Sequence, residues 1–207
     1  MCQSYTSFYS SVHNEQRTRI NAMTAGGVSN VYLYNTLKNS MKCSNLFVGV
    51  FSSDNMNLEE LKRRDEFILI CNLSPQWHSG SHFVTIVANT NEIIYCDSLA
   101  LPISTSQSLF ANLKHIGIGR RLTSLLKRPI QAPLSEFCGL YCIYCVCLFD
   151  YQRFPIVNDQ KKFATNDLRQ NDLICVQNIK QMIQSNPLIG STSRTRETDE
   201  PISRLNH

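Results

Sequence analysis

The segment Gln131-Ala-Pro-Leu-Ser-Glu-Phe-Cys138-Gly139 joins an amide, a proline and a thiol within nine residues. From Phe137 to Phe149 the chain carries no charge, and Glu136 and Asp150 bound the run, so it reads as a buried helix that starts almost at the Cys138 sulfur. The unpaired N–H groups and positive dipole end of a helix favour a thiolate, lowering a cysteine pKa below its free value of about 8.5. An isolated Cys-Gly pair is more often a small packing residue. A cysteine nucleophile also needs a base, a group that orients the base, and donors aimed at a developing oxyanion.

The chain offers one candidate for each. Of its five histidines, His13 lies in a polar N-terminal stretch, His115 near a predicted helix end and His207 at the terminus, which leaves His78 and His82. His82 opens a predicted strand, and a strand holds a side chain more firmly than the loop around His78. A hairpin turn centred on Thr90-Asn91 pairs Ala88 with Ile93, Ile86 with Tyr95 and Val84 with Asp97. Asp97 then shares a face with His82 as a diagonal neighbour, with α-carbons roughly 7 to 8 Å apart. A hairpin loop of two or four residues keeps that parity, whereas three residues turn Asp97 to the other face. Gln131 precedes Cys138 by seven residues, and Pro133 between them discourages helix, so the segment can fold back and set the amide beside the thiol. The Gln131 side chain and the Cys138 N–H would then form a two-donor oxyanion hole, worth about 2.7 to 4 kcal/mol per donor in other enzymes. Read singly, His82, Asp97 and Gln131 each have an ordinary structural explanation.

The frame that must hold these groups is readable from the pattern. The 207 residues, 43% apolar and 17% charged with net charge +4, fit one globular domain and do not demand a nucleic-acid partner. Residues 28–186 are the expected domain, with a polar segment at 1–27 and a disordered tail at 187–207. No secretory signal is visible, and the longest uncharged apolar run is shorter than the roughly 20 residues of a membrane span, so a soluble, intracellular, monomeric protein without membrane contact is expected. Nine cysteines, four of them crowded at Cys138, Cys142, Cys145 and Cys147, do not space like a disulfide framework. One helix also cannot wrap four thiolates tetrahedrally, which disfavours structural zinc.

Ser29 caps an expected helix to about Met41, with Val31, Tyr34, Leu37 and Met41 on one face. A short strand at 46–51, a helix at 58–64 introduced by Asp54 or Asn57, and an apolar strand at 67–71 follow. Strands at 82–88 and 92–96 follow, His82 opening the first and Asp97 just beyond the second, and their apolar faces imply a sheet covered on both sides. A helix spans 104–116, and 127–131 is an edge strand or extended segment. After the cysteine helix, an amphipathic helix at 167–184 turns Leu168, Ile174, Ile179 and Ile183 inward.

In this order, His82, Asp97, Gln131 and Cys138-Gly139 resemble the adenovirus endopeptidase (adenain) family and, more distantly, the SUMO-specific and other ubiquitin-like-protein proteases. The resemblance covers about residues 47–155 and rests on GVFSSDN, FILICNLSPQWHSGSHFVTI, EIIYCDSLALP and QAPLSEFCGLYCIYCVCLFDYQRFP. It implies an α+β, papain-like or adenain-like fold, with a central mixed sheet flanked by helices and the nucleophile at the N-terminus of a buried helix. It also implies peptide-bond hydrolysis through a thioester, with Cys138 as nucleophile, His82 as base and acid, Asp97 as its orienter and Gln131 in the oxyanion hole. The implied substrates are viral or Polinton-type transposon capsid and core precursors, in the host nucleus or the virion, or alternatively conjugates of ubiquitin-like proteins. A reading of another class is an inactive, protease-like DNA-binding or scaffold protein.

The resemblance implies no cofactor for the chemistry, while leaving room for an activating peptide and for viral DNA bound through Lys114, Arg120, Arg121, Lys127 and Arg128. Three positions depart from the family pattern. Phe83 stands where Trp is usual after the histidine. Asp97 matches the SUMO proteases, where human-type adenains carry Glu. Arg120 stands where those adenains carry the cysteine that bonds an activating peptide.

Overall fold

In the computed structural model, which describes residues 29–40, 45–77, 81–152, 163 and 165–185, five strands form one mixed sheet. They are β1 (Phe47–Ser52), β2 (Phe67–Asn72), β3 (Phe83–Ala88), β4 (Glu92–Cys96) and β5 (Arg121–Ser124), adjacent in chain order. β1 runs parallel to β2 and β5 parallel to β4, while β2, β3 and β4 are antiparallel neighbours. The helices are α1 (Asn30–Ser40), α2 (Leu58–Lys62), α3 (Gln107–Ile116) after a 3₁₀ turn at Ile103–Thr105, α4 (Cys138–Gln152) and α5 (Leu168–Ser185). The class is the α+β architecture expected from the sequence. The segments 1–28 and 186–207, with His13, His78, His207 and Met41, lie outside the described residues.

The hairpin sets the register of β3 against β4. Asn89 N–H donates to Glu92 O at 2.9 Å, and the Asn89 side-chain oxygen accepts from the N–H groups of Asn91 and Glu92, both at 2.8 Å. This side-chain mimicry of a turn is what Asn does in tight loops. Ala88 therefore pairs with Ile93 and Ile86 with Tyr95, the parity that keeps His82 and Asp97 on one face.

Every residue of β2 and β3 is buried, because helices cover both faces. On one side Ile68, Ile70, Phe83 and Val87 pack with α1, α4 and α5. On the other, Leu69, Val84 and Ile86 pack with Leu61 of α2 and with Leu109, Leu113 and Ile116 of α3. Caps fix the helix starts: the Ser29 hydroxyl accepts from Tyr32 N–H, the Asn57 side chain from Glu60 N–H and the Ser106 hydroxyl from Leu109 N–H. Of the two candidates before α2, Asn57 is the cap, while Asp54 accepts from Gln76 N–H across the turn.

Three local expectations are corrected. The edge strand is Arg121–Ser124, while 127–131, expected as an edge strand or extended segment, forms no strand; Pro129 within it has no N–H to donate to a ladder. The inner face of α1 is Leu33 and Leu37, both wholly buried at helical spacing, while Val31 is exposed and Tyr34 sits at the margin beside the Phe47 ring. The inner face of α5 is Asn171, Asp172, Cys175 and Ile179, with Leu168 and Ile174 only half-buried; the Ile183 side chain is outside the described residues.

Candidate active site

The ends of β3 and β4 position His82 and Asp97, the candidate base and its orienting acid. His82 precedes β3 by one residue, and its carbonyl still accepts from Leu73 N–H at 2.9 Å, so the sheet holds its backbone. Its Nε2 lies 2.6 Å from Asp97 Oδ1. Asp97, just past the end of β4, is 1% exposed, which only a fully bonded carboxylate tolerates. Its two oxygens accept from His82, from Leu99 N–H at 2.8 Å, from Tyr95 O–H at 3.1 Å and from Leu101 N–H at 3.2 Å. The Asp97 carbonyl also accepts from Ala100 N–H, closing the turn that follows the strand.

α4 delivers the thiol. Tyr141 N–H donates to Phe137 O, so the helix ladder begins there and the Cys138 N–H precedes the first intrahelical bond. With Nε2 engaged by Asp97, the His82 ring lines the same cleft as the Cys138 thiol, close enough for the two side chains to interact. Burial alone would lower the His82 pKa, but the Asp97 hydrogen bond, the Cys138 hydrogen bond and the negative charges of both partners raise it to about 9. Near neutral pH the arrangement thus favours the imidazolium form of His82.

Gln131 reaches the same cleft, which has a volume of about 700 Å³ and is lined by Gln131, Cys138, His82, Phe83, Asn72 and Leu134 among others. The Gln131 amide is 1% exposed and held at both ends. Its oxygen accepts from the Ser98 hydroxyl at 2.5 Å, and its nitrogen donates one hydrogen to Ser135 O at 2.7 Å, leaving the second N–H for the cleft. The structure therefore brings together the four residues singled out from the sequence, with Phe83 as the aromatic wall beside them.

Two supports were not read from the sequence. Ser98 fixes Gln131 through its hydroxyl, and its carbonyl accepts from Ile130 N–H at 2.8 Å and Gln131 N–H at 3.1 Å. Its position directly after the candidate acid was the available signal. Asp172 of α5 accepts from Ala132 N–H at 3.4 Å and lies 3.0 Å from the Tyr141 hydroxyl, which also lies 3.0 Å from Ile130 O. Burial raises the Asp172 pKa against the hydrogen bonds that lower it. A carboxylate at helical spacing from Cys175 and Ile179 was its signal. Among the basic residues, Arg120 donates to Arg64 O at 2.7 Å and Arg121 pairs with Glu92 at 3.0 Å.

Comparison with known proteins places the fold. No family model and no curated protein matches this sequence. Among solved structures, the Chlamydia trachomatis effector protein ChlaDUB1 aligns over 93% of this chain and 98% of its own, with a TM-score of 0.53 and 12% identity. The chain shares the fold of ChlaDUB1, a five-stranded mixed sheet flanked by helices. A second ChlaDUB1 structure, at 1.7 Å, aligns over 62% of this chain and 61% of its own, with a TM-score of 0.41 and 12% identity. The effector Cdu1 of the same organism, bound to ubiquitin, aligns over 58% and 61%, with a TM-score of 0.39 and 13% identity. The chain thus spans under two thirds of the length of those two partial matches.

Proposed function

We propose that the protein is a cysteine protease in which Cys138 attacks a peptide or isopeptide carbonyl. The observation that carries this reading is the buried Asp97–His82 hydrogen bond beside the Cys138 thiol, in a cleft that Gln131 also lines. In the first step the Cys138 thiolate bonds to the carbonyl carbon, and the displaced electron pair moves to oxygen, where the Cys138 N–H and the second Gln131 N–H receive it. Collapse expels the amine, which takes its proton from the His82 imidazolium, and leaves a thioester. Neutral His82 then removes a proton from water, whose oxygen attacks the thioester, and Cys138 is released. Asp97 keeps the ring oriented throughout and stabilises its charged form.

Conjugates of ubiquitin-like proteins are the substrates we place first, supported by the fold shared with ChlaDUB1 over nearly both full chains. Maturation of viral or transposon capsid and core precursors, assisted by a peptide or DNA, is the second reading; the 131–155 segment, with its adenain-like Gln-to-Cys interval, favours it. The test is labelling by vinyl sulfone probes of ubiquitin and SUMO, run beside cleavage of quenched peptides with a Gly-Gly centre. Labelling at Cys138 and release of the ubiquitin-like protein support the first reading, and peptide cleavage without labelling supports the second. Neither labelling nor cleavage, with Cys138→Ala behaving as wild type, would show that the domain is no protease.

A further inference from the structure

Leu134 combines three properties that seldom coincide. Its φ is +63°, it is fully exposed, and it lines the cleft that holds His82 and Cys138. The turn that contains it is closed by Ser135 N–H donating to Ala132 O at 3.2 Å, with Pro133 second and Leu134 third. That is the type II pattern, in which proline suits the second position and the left-handed third position takes glycine or asparagine. A leucine there carries a steric penalty from its Cβ. It also gains no compensation by burial, since its side chain rests on nothing within the fold. Neither backbone preference nor core packing therefore accounts for an apolar residue at this position.

Its location supplies the missing contact. Leu134 lies between the oxyanion donor Gln131 and the nucleophile Cys138 in the chain and borders the same cleft, so a polypeptide bound across Cys138 passes it. Gln131 to Ser135 is moreover a rigid segment: Nε2 of Gln131 bonds Ser135 O, and Ala132 N–H is held by Asp172. The side chain is thus presented at a fixed place on the cleft rim, where strained residues concentrate when they serve a ligand.

We propose that Leu134 is a specificity-determining residue that packs against an apolar side chain of the substrate close to the scissile bond. The inference rests on the protease reading above. Covering a leucine on binding is worth about tenfold in affinity, so the loss should fall on KM.

The test uses purified full-length protein and internally quenched peptides with a central Gly-Gly bond and either Leu or Ser at each flanking position. Wild type should prefer Leu at one flanking position. Leu134→Gly and Leu134→Asn should raise KM for the preferred peptide about tenfold with kcat little changed, abolish the preference, and match or exceed the wild-type Tm by about 2 to 4 °C because the left-handed strain is relieved. Leu134→Ala, which keeps the strain, should raise KM alike without the gain in Tm, and Leu134→Met should restore the wild-type KM. An unchanged KM and an unchanged preference in the Gly and Ala variants, with active wild type, overturn this inference alone. Wild type that cleaves none of the peptides and is not labelled by the ubiquitin or SUMO probe overturns the protease reading and this inference with it.

Discussion

Ser98 grips Gln131 through two hydrogen bonds and its neighbour Ile130 through a third: its hydroxyl donates to the Gln131 side-chain oxygen at 2.5 Å, and its carbonyl accepts from the N–H groups of Ile130 and Gln131. The first bond fixes the orientation of the amide, because an oxygen engaged by a hydroxyl donor leaves the NH₂ end to donate elsewhere. Ser98, directly after Asp97, is therefore coupled to Gln131, 33 positions later in the chain.

Removing that hydroxyl tests the coupling. Ser98→Ala keeps both backbone bonds, so the fold should persist while the amide loses its orientation, and kcat should fall about tenfold with KM nearly constant. Gln131→Ala should cost about 10²- to 10³-fold in kcat. The double variant should be no worse than Gln131→Ala, and kinetics on one common substrate would reveal this non-additivity. Multiplicative losses would separate the two residues.

Asp97→Asn should lower the His82 pKa from about 9 toward 6.5, since the Asp97 hydrogen bond and charge are two of the causes that raise it. NMR titration of the imidazole protons measures the shift directly. The same change should reduce kcat by up to about 10⁴-fold, as loss of the orienting carboxylate does in other triads. A His82 titration that stays near 9 in the variant would mean that Asp97 does not control the ring.

The raised His82 pKa also fixes the sign of a stability change with pH. The folded value of about 9 exceeds the unfolded value of 6.5, so its contribution is full below about pH 6.5 and is lost as pH rises through about 9. The size is on the order of 3 kcal/mol at most. Urea denaturation should show wild type losing stability relative to His82→Gln across that window, and equal slopes for the two proteins would contradict it.

Asp172→Leu should destabilise the fold by about 2 to 4 kcal/mol, because it leaves the Ala132 N–H buried without an acceptor and deprives the Tyr141 hydroxyl of a neighbour. Asp172→Asn preserves an acceptor and should cost less than half as much. Thermal denaturation ranks the three proteins, and equal Tm values for the two variants would remove Asp172 from the support of the 130–135 segment.

The contrast between legible and illegible parts is physical. His82 and Asp97 could be placed on one face because strand alternation has an unvarying period and the Asn89 to Asn91 turn fixes its phase. The α4 start was legible because an uncharged run ends abruptly at Glu136. β5 was not: it has four residues, and Leu122 is its single apolar side chain, so its pairing with β4 is decided by the partner strand. On α1, Val31 and Leu33 are equally apolar, and which of them faces inward depends on the angle at which the helix meets the sheet. Ser98 and Asp172 act across 33 and 40 positions of chain, a relation that no local pattern contains.

The central claim, that His82 activates Cys138, is tested most directly by the iodoacetamide alkylation rate of each cysteine between pH 5 and 9, read by mass spectrometry in wild type and His82→Ala. Cys138 should react at pH 6 at least about a hundredfold faster than the half-buried Cys147 and lose that advantage in the variant. A Cys138 rate at pH 6 equal to that of Cys147, or one unchanged by His82→Ala, would contradict the account.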